Sequence, residues 1–321
     1  MSKLLTVIGG TGTQGLSLIN EALKDGKYKI RALTRNTNSS KAKALASKGV
    51  EVVQADINDK QSLVRAFEGS HAIYGITDFF EPFGAHGPQK AIEIETAQGI
   101  NIAKAAAETS TLEHYIWSTL PNAGKATNGK YMIPHFVAKN NVDDYIRSDK
   151  SLLAKTTFLW ITWYVNNYQY PVFTPIYVKS SKSYIQLSPA ASDVPIKSIG
   201  SPSANIGKFA YAILNKPDIS LPGKTVVAYT EETTTGKLLQ DWAEVTGNKA
   251  SYVQTNLEEF SAIWPGWGLE MGEMMKLWDE VREKSWEAPD GAVTKEDLGL
   301  GNEKFVDTKA AYAEMNWAEI L

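Results

Sequence analysis

No cysteine occurs in the 321-residue chain, which excludes disulfides, thiolate nucleophiles, cysteine-ligated zinc and iron–sulfur clusters together. That agrees with a reducing compartment. Histidine is nearly as scarce: the four, His71, His86, His114 and His135, fall at no metal-ligand spacing, and neither an HExxH run nor a paired-carboxylate set occurs. No metal is expected. An excess of one charge is missing too, since 33 basic residues face 36 acidic ones and the lysines are dispersed. Without a basic footprint, direct nucleic-acid binding is not expected. Long apolar runs are also wanting. The start, MSKLLTVIGG, is too short for the apolar region of a secretory signal. The most apolar later stretch, Phe158 to Val165, is far below the roughly 18 residues that cross a bilayer. The expectation is a cytoplasmic protein with no membrane span.

What is present reads as a folded protein, with 43% hydrophobic and 21% charged residues, nine Trp and fourteen Tyr. Over the first 120 residues short β-branched runs alternate with segments of helical period. The runs are Leu4–Ile8, Lys29–Thr34, Val50–Ala55, His71–Ile76 and Glu113–Trp117. Helical spacing marks Leu16 to Leu23, Lys41 to Lys48, Lys60 to Phe67 and Gln89 to Glu108, and several of these segments close on a glycine. That rhythm predicts βαβ units and a parallel sheet. A looser Gly/Pro-rich connection is expected over 78–88. Further on, a helix is expected around His135–Arg147 and strands around Thr156–Ile161 and Lys224–Tyr229. The fold class is α/β: a doubly wound parallel Rossmann sheet with a smaller, interleaved C-terminal substrate domain. The expected Rossmann domain covers 1–157, its sheet completed by 224–230, and the smaller α/β domain takes 158–223 and 231–321.

Three glycines, Gly9, Gly12 and Gly15, stand in GGTGTQG between the first strand and the first helix. Glycine there permits a tight turn and close approach of backbone to a pyrophosphate, and the helix N-terminus offers free N–H groups to the anion. Thr11, Thr13 and Gln14 complete the loop as candidate contacts. A plain strand-to-helix turn would need fewer glycines. An NAD-preferring site usually puts a carboxylate about 20 residues on, at the end of the second strand. Arg35 stands there instead, with Arg31, Asn36, Lys41 and Lys43 nearby. A 2′-phosphate would meet positive charge, so NADP(H) is the expected cofactor. Asp56 with Ile57 is placed to flank an adenine; its alternative is the N-cap of the helix beginning near Lys60. Thr77, after the fourth strand, and Ser118, after the fifth, would border ribose or nicotinamide, because ligands lie at the carboxyl ends of parallel strands.

With these residues in view, the chain resembles the NmrA-like family of atypical short-chain dehydrogenase/reductase proteins, relatives of the isoflavone reductase group. The likeness rests on GGTGTQG, RALTRN, QADINDK, PHFVAKNNVDDYIR, WYVNNY, GLEMGEMMKLW and EDLGLGNEKFVDT. It implies NADP(H) in a cleft between an extended Rossmann domain and a small substrate domain. It does not imply one activity, because the family includes reductases and nucleotide-sensing regulators. Lys139 matches the lysine that active short-chain reductases place near the nicotinamide ribose, in a YxxxK pattern whose tyrosine position is held here by His135. Trp163, Tyr164 and Asn167 match the aromatic–Asn element beside the nicotinamide pocket.

His135 can donate a proton near neutral pH, or it can be a capping or packing residue beside Pro134. Tyr131, Tyr164 and Tyr168 are alternative donors. Phe79, Tyr131, Trp163, Tyr164, Tyr168 and Trp267 are the expected substrate walls, and a lid over the cleft is open to Trp264, Trp267, Met271, Met274, Met275 and Trp278, although the methionines fit a packing stripe better. The leading expectation is an NADPH-dependent reductase of a hydrophobic aromatic or heterocyclic small molecule at C=O, C=N or activated C=C, as a monomer or homodimer. The alternative is an NADP(H)-sensing transcriptional regulator without turnover, with a protein partner and possible residence in the nucleus.

Overall fold

The structure, a computed structural model, describes residues 2–321. Six strands carry the N-terminal half: β1 (Lys3–Val7), β2 (Tyr28–Thr34), β3 (Glu51–Gln54), β4 (Ala72–Gly75), β5 (His114–Thr119) and β6 (Thr156–Ile161). Seven more follow: β7 (Ile176–Val178), β8 (Ser183–Ser188), β9 (Pro195–Ser198), β10 (Thr225–Ala228), β11 (Glu231–Thr234), β12 (Ala250–Gln254) and β13 (Ala292–Val293). Eight of them form one all-parallel sheet in the order β3-β2-β1-β4-β5-β6-β10-β13. The direction of winding reverses between β1 and β4, and in such sheets the crevice for a ligand opens at that switch point.

The central strands are buried on both faces, as helix-covered parallel strands must be. Alternation then assigns each residue a layer. Leu5, Val7, Tyr74, Ile116 and Leu159 pack against α1 (Thr13–Ala22) and the helix Pro202–Asn215. Ile73, Tyr115, Trp117 and Phe158 face α3 (Lys60–Phe67), α5 (Pro88–Glu108) and α7 (Pro134–Ser148) on the other side. Shorter helices, α2 (Ser40–Ala46), α4 (Phe80–His86), α6 (Ala123–Ala126) and a last turn at Lys150–Leu153, complete this half.

Helix α4 lies where the sequence suggested a loose connection. Pro82 sits in its first turn, where no helical hydrogen bond is lost. Asp78 accepts from Phe80 N at 2.9 Å, and Phe79 and Phe83 bury against Ala91 and Ala138. A third core gathers Trp163, Tyr168, Trp242, Met271, Trp278 and Tyr312 with two small sheets, β11-β9 and β12-β8-β7. It sits beyond the carboxyl end of β6, so the long β4–α5 and β5–α7 connections lie between the two halves. Met271, Met274 and Met275 are buried in this core as a packing stripe. No helix among the described residues is long and apolar enough to cross a membrane.

Candidate active site

Close packing shapes the glycine loop. Gly9 has φ +63 and its carbonyl accepts from Gly12 N at 2.8 Å. A Cβ on Gly10 would lie 2.7 Å from that of Ala32, and one on Gly15 would run into Gly9 O. Only glycine permits this fold-back. Gly12 is the N-cap of α1 and brings no side-chain acceptor, so the first-turn N–H groups of Thr13, Gln14 and Gly15 face outward for an anion. The Gln14 side chain does something else: its Oε1 accepts from Tyr74 Oη at 2.5 Å and Ser118 Oγ at 2.8 Å, while Nε2 donates to Tyr164 Oη at 2.6 Å. One amide thus ties α1 to the ends of β4 and β5 and to the second half. Ser118 is spent on this network, and burial drives the Tyr164 phenol well above its ordinary value, which makes it a poor acid.

At the end of β2, Arg35 is exposed and donates to Glu81 Oε1 of α4 at 2.6 Å. Asn36 lies beside it and uses Oδ1 in a local turn with Asn38 N. Arg31, by contrast, is consumed structurally by Glu51, Ala66 O and Glu68 O. Asp56 is not the cap of α3, because Asp59 takes that place by accepting from Gln61 N. Asp56 Oδ1 instead holds Asn58, and Ile57 O receives Asn101 Nδ2.

Deeper in the cleft, Lys139 Nζ donates to Thr77 O at 3.2 Å, Thr77 Oγ1 at 3.1 Å and Glu95 Oε1 at 2.9 Å. Three N–H groups have three protein acceptors. Thr77 Oγ1 also donates to Glu95 Oε1 at 2.7 Å, and Glu95, wholly buried, keeps its Oε2 without a partner. The ammonium stands 5.7 Å from the Trp117 ring, whose Nε1 donates to Asp143 at 2.9 Å. Burial pushes the Asp143 carboxyl up to about 7, with the Trp117 bond pulling the other way. His135, Lys139 and Asp143 thereby share one face of α7 at steps of four.

One turn before Lys139, His135 Nδ1 stands 2.5 Å from Glu270 Oε1, and both side chains are buried. Its ring centroid is 5.4 Å from Phe80 and 6.0 Å from Phe79. Trp267 stacks on Phe80 at 5.4 Å and meets Phe83 edge-on at 4.8 Å, which roofs this corner with aromatic carbon. The other expected walls scatter. Tyr131 Oη bonds Glu280 at 2.9 Å, about 15 Å along the helix Trp267–Val281 from Glu270. Tyr168 is buried, stacked on Tyr312 and bonded to Gln186. Trp163 packs on Phe173 and Trp278, its Nε1 buried without a partner. Asn167 follows in a 3-10 turn, half-exposed.

Glu95 and Glu270, which no sequence reasoning singled out, each pair with one member of the His135/Lys139 set. A signal for both exists. Glu95 falls on the stripe Ala91, Gly99, Ile102, and Glu270 on the stripe Met274, Trp278; a carboxylate on a buried helical stripe needs a partner.

The model of the NmrA-like family matches residues 1–308. The chain belongs to the NmrA-like family. A relative from Aspergillus hancockii, described as the NmrA-like family domain-containing oxidoreductase hkm9, is 28% identical over 261 residues, 78% of this chain and 75% of the relative. Among solved structures, the negative transcriptional regulator NmrA in complex with NADP has a TM-score of 0.72 at 19% identity, covering 100% of this chain and 97% of that one. The triphenylmethane reductase of Citrobacter sp., complexed with NADP(H), has a TM-score of 0.67 at 20% identity, with 97% and 99% covered. At such identities these likenesses establish the fold.

Proposed function

We propose that this NmrA-like chain is an NADPH-dependent reductase of flat, hydrophobic aromatic or heterocyclic molecules bearing a polarised C=O, C=N or activated C=C. The observation that carries this reading is the presence of His135 and Lys139 one helical turn apart on α7, with Lys139 bonded to Thr77 just past β4, His135 against the Phe79 and Phe80 rings, and Trp267 stacked on Phe80. A dinucleotide fits the rest: the Gly9–Gly15 fold-back leaves no room for a Cβ, the first turn of α1 is uncapped, and Arg35 has the charge and reach for a 2′-phosphate. The Aspergillus hancockii relative bears an oxidoreductase name, and the solved NmrA and triphenylmethane reductase are complexed with NADP or NADP(H).

When bound, the reduced nicotinamide supplies hydride. The chain does the remainder. His135 gives a proton to the acceptor atom that gains the electron pair, while Lys139 faces the ribose and lends positive charge to the cleft. Aromatic carbon excludes water and aligns a flat acceptor. Tyr164 serves the fold of the glycine loop through Gln14 rather than the proton transfer.

A second reading, an NADP(H)-responsive regulator, draws support from the three protein acceptors already on Lys139, which leave the ammonium nothing for a ribose until one is released. Titration with NADPH, NADP and NADH by tryptophan fluorescence, then NADPH absorbance with aromatic ketones, quinones and cyclic imines, separates the two. A reductase oxidises NADPH only with an acceptor, and Lys139→Ala abolishes that oxidation. Tight binding without consumption identifies the regulator.

A further inference from the structure

We infer that Glu270 is the positioning residue that makes His135 a proton donor, an assignment that rests on the reductase reading. A single carboxylate oxygen, Glu270 Oε1, lies 3.1 Å from the His135 backbone N and 2.5 Å from its ring Nδ1. The pair is closed off, with 8% of the histidine and 2% of the glutamate side chain exposed. An ionised carboxylate only accepts hydrogen bonds, so Nδ1 carries the hydrogen and the neutral ring presents a bare Nε2. Phe79, Phe80 and Phe136 surround the ring and have no acceptor or donor for that nitrogen.

Among charged groups, helix Trp267–Val281 brings Glu270 and, one turn on, Glu273. The ring's own helix brings Lys139, paired with Glu95 of α5, and α4 turns its Glu81 away to Arg35. Glu270 therefore meets the ring directly, and a positive charge on the ring is offset where it forms.

The step balances. Hydride from the reduced dinucleotide forms the C–H bond, and the electron pair of the reduced double bond settles on its oxygen or nitrogen. That atom takes the Nε2 proton of the imidazolium, which is left as the Nδ1–H neutral ring and recovers its proton from water. In a substrate without such an atom the same proton passes to carbon.

Glu270 has a structural duty as well, because α7 opens on Ile133 with no side-chain cap and Glu270 supplies the missing acceptor from another helix. E270Q keeps that acceptor and removes the charge; E270L removes both. The test combines ring 15N NMR of His135, assigned against H135Q in the cofactor-free protein at a pH where the ring is neutral, with steady-state turnover. The wild type is expected to show protonated Nδ1 and bare Nε2, E270Q to keep that form, and E270L to move the proton to Nε2. With E270Q, kcat should fall about tenfold or more, within the range of general-acid contributions, at unchanged NADPH affinity. A wild-type ring protonated on Nε2 alone overturns the proposal, as does wild-type turnover in E270Q. Absence of NADPH oxidation by the wild type, with the Nδ1–H form intact, overturns the reductase reading and the donor role with it.

Discussion

On the proposed reading Arg35 would meet a 2′-phosphate in competition with Glu81, which already holds its Nη1. Their side chains are 70% and 58% exposed, so the pair holds weakly, on the order of 0.2–1 kcal/mol. A phosphate with two negative charges and several acceptors outbids one carboxylate for a guanidinium. Arg35→Ala should weaken NADPH binding about tenfold or more while sparing NADH, since a charge-assisted bond contributes roughly 1.5–3 kcal/mol. Equal loss for both nucleotides would remove Arg35 from the phosphate site. Glu81→Gln should act the other way, raising NADPH affinity up to about fivefold with no change for NADH, read in the same fluorescence titration. Arg35 and Gly15 stand out in the sequence by position, one just past β2 and the other where the glycine loop enters α1, whereas Lys139 was legible only through the family resemblance. Glu95 and Glu270 were not, because their meaning lies in partners 44 and 135 residues away.

Elements follow the same division. Strands β1 to β6 and helices α3, α5 and α7 carry their period in the chain and form where that period predicts them. Helix α4 does not, since Pro82 and Gly84 read as breakers while two buried phenylalanines hold the turn together from outside. The strands β7–β9, β11 and β12 are at most half-buried along most of their length, so they lack the continuous apolar run that marks the central strands. Two glycines test the helices with opposite signs. Gly207, in Pro202–Asn215, crosses α1 so closely that its N donates to Ser17 Oγ at 2.8 Å, and a Cβ there would lie 2.8 Å from Leu18 N and nearer still to Ser17 O. Backbone cannot give way like a side chain, so Gly207→Ala should cost about 1–3 kcal/mol or more in denaturant unfolding. Gly84 in α4 has open space around its Cβ position and no positive φ. Gly84→Ala should raise stability by about 0.4–1 kcal/mol, and a loss there would argue against α4 as a helix.

Across the whole molecule, a buried histidine and a half-buried carboxylate on neighbouring strand and helix oppose one another in pH. Burial lowers His114 to about 4 and raises Asp143 to about 7. Between about pH 4 and 6.5 the unfolded chain carries a proton on His114 that the native chain lacks, so this group adds stability as pH rises. Over the same interval the native chain keeps a proton on Asp143 that the unfolded chain has lost, so this group removes stability as pH rises, and continues to until about pH 7. The two slopes, each at most about 1.4 kcal/mol per pH unit, cancel over the shared window. The wild type should therefore have a flat melting temperature from about pH 4.5 to 6.5. Asp143→Asn keeps an acceptor for Trp117 Nε1 and exposes the histidine slope, giving a melting temperature that climbs with pH. His114→Asn exposes the carboxylate slope, and its melting temperature should fall over the same range. Calorimetry of the three proteins at several pH values reads the signs directly. Parallel curves would mean that neither group is held away from its ordinary protonation by the fold. Since Asp143 lies four residues beyond Lys139 on the same face of α7, the His114→Asn curve, in which the carboxylate slope alone remains, also reports the electrostatics of the cleft floor without any cofactor or substrate present.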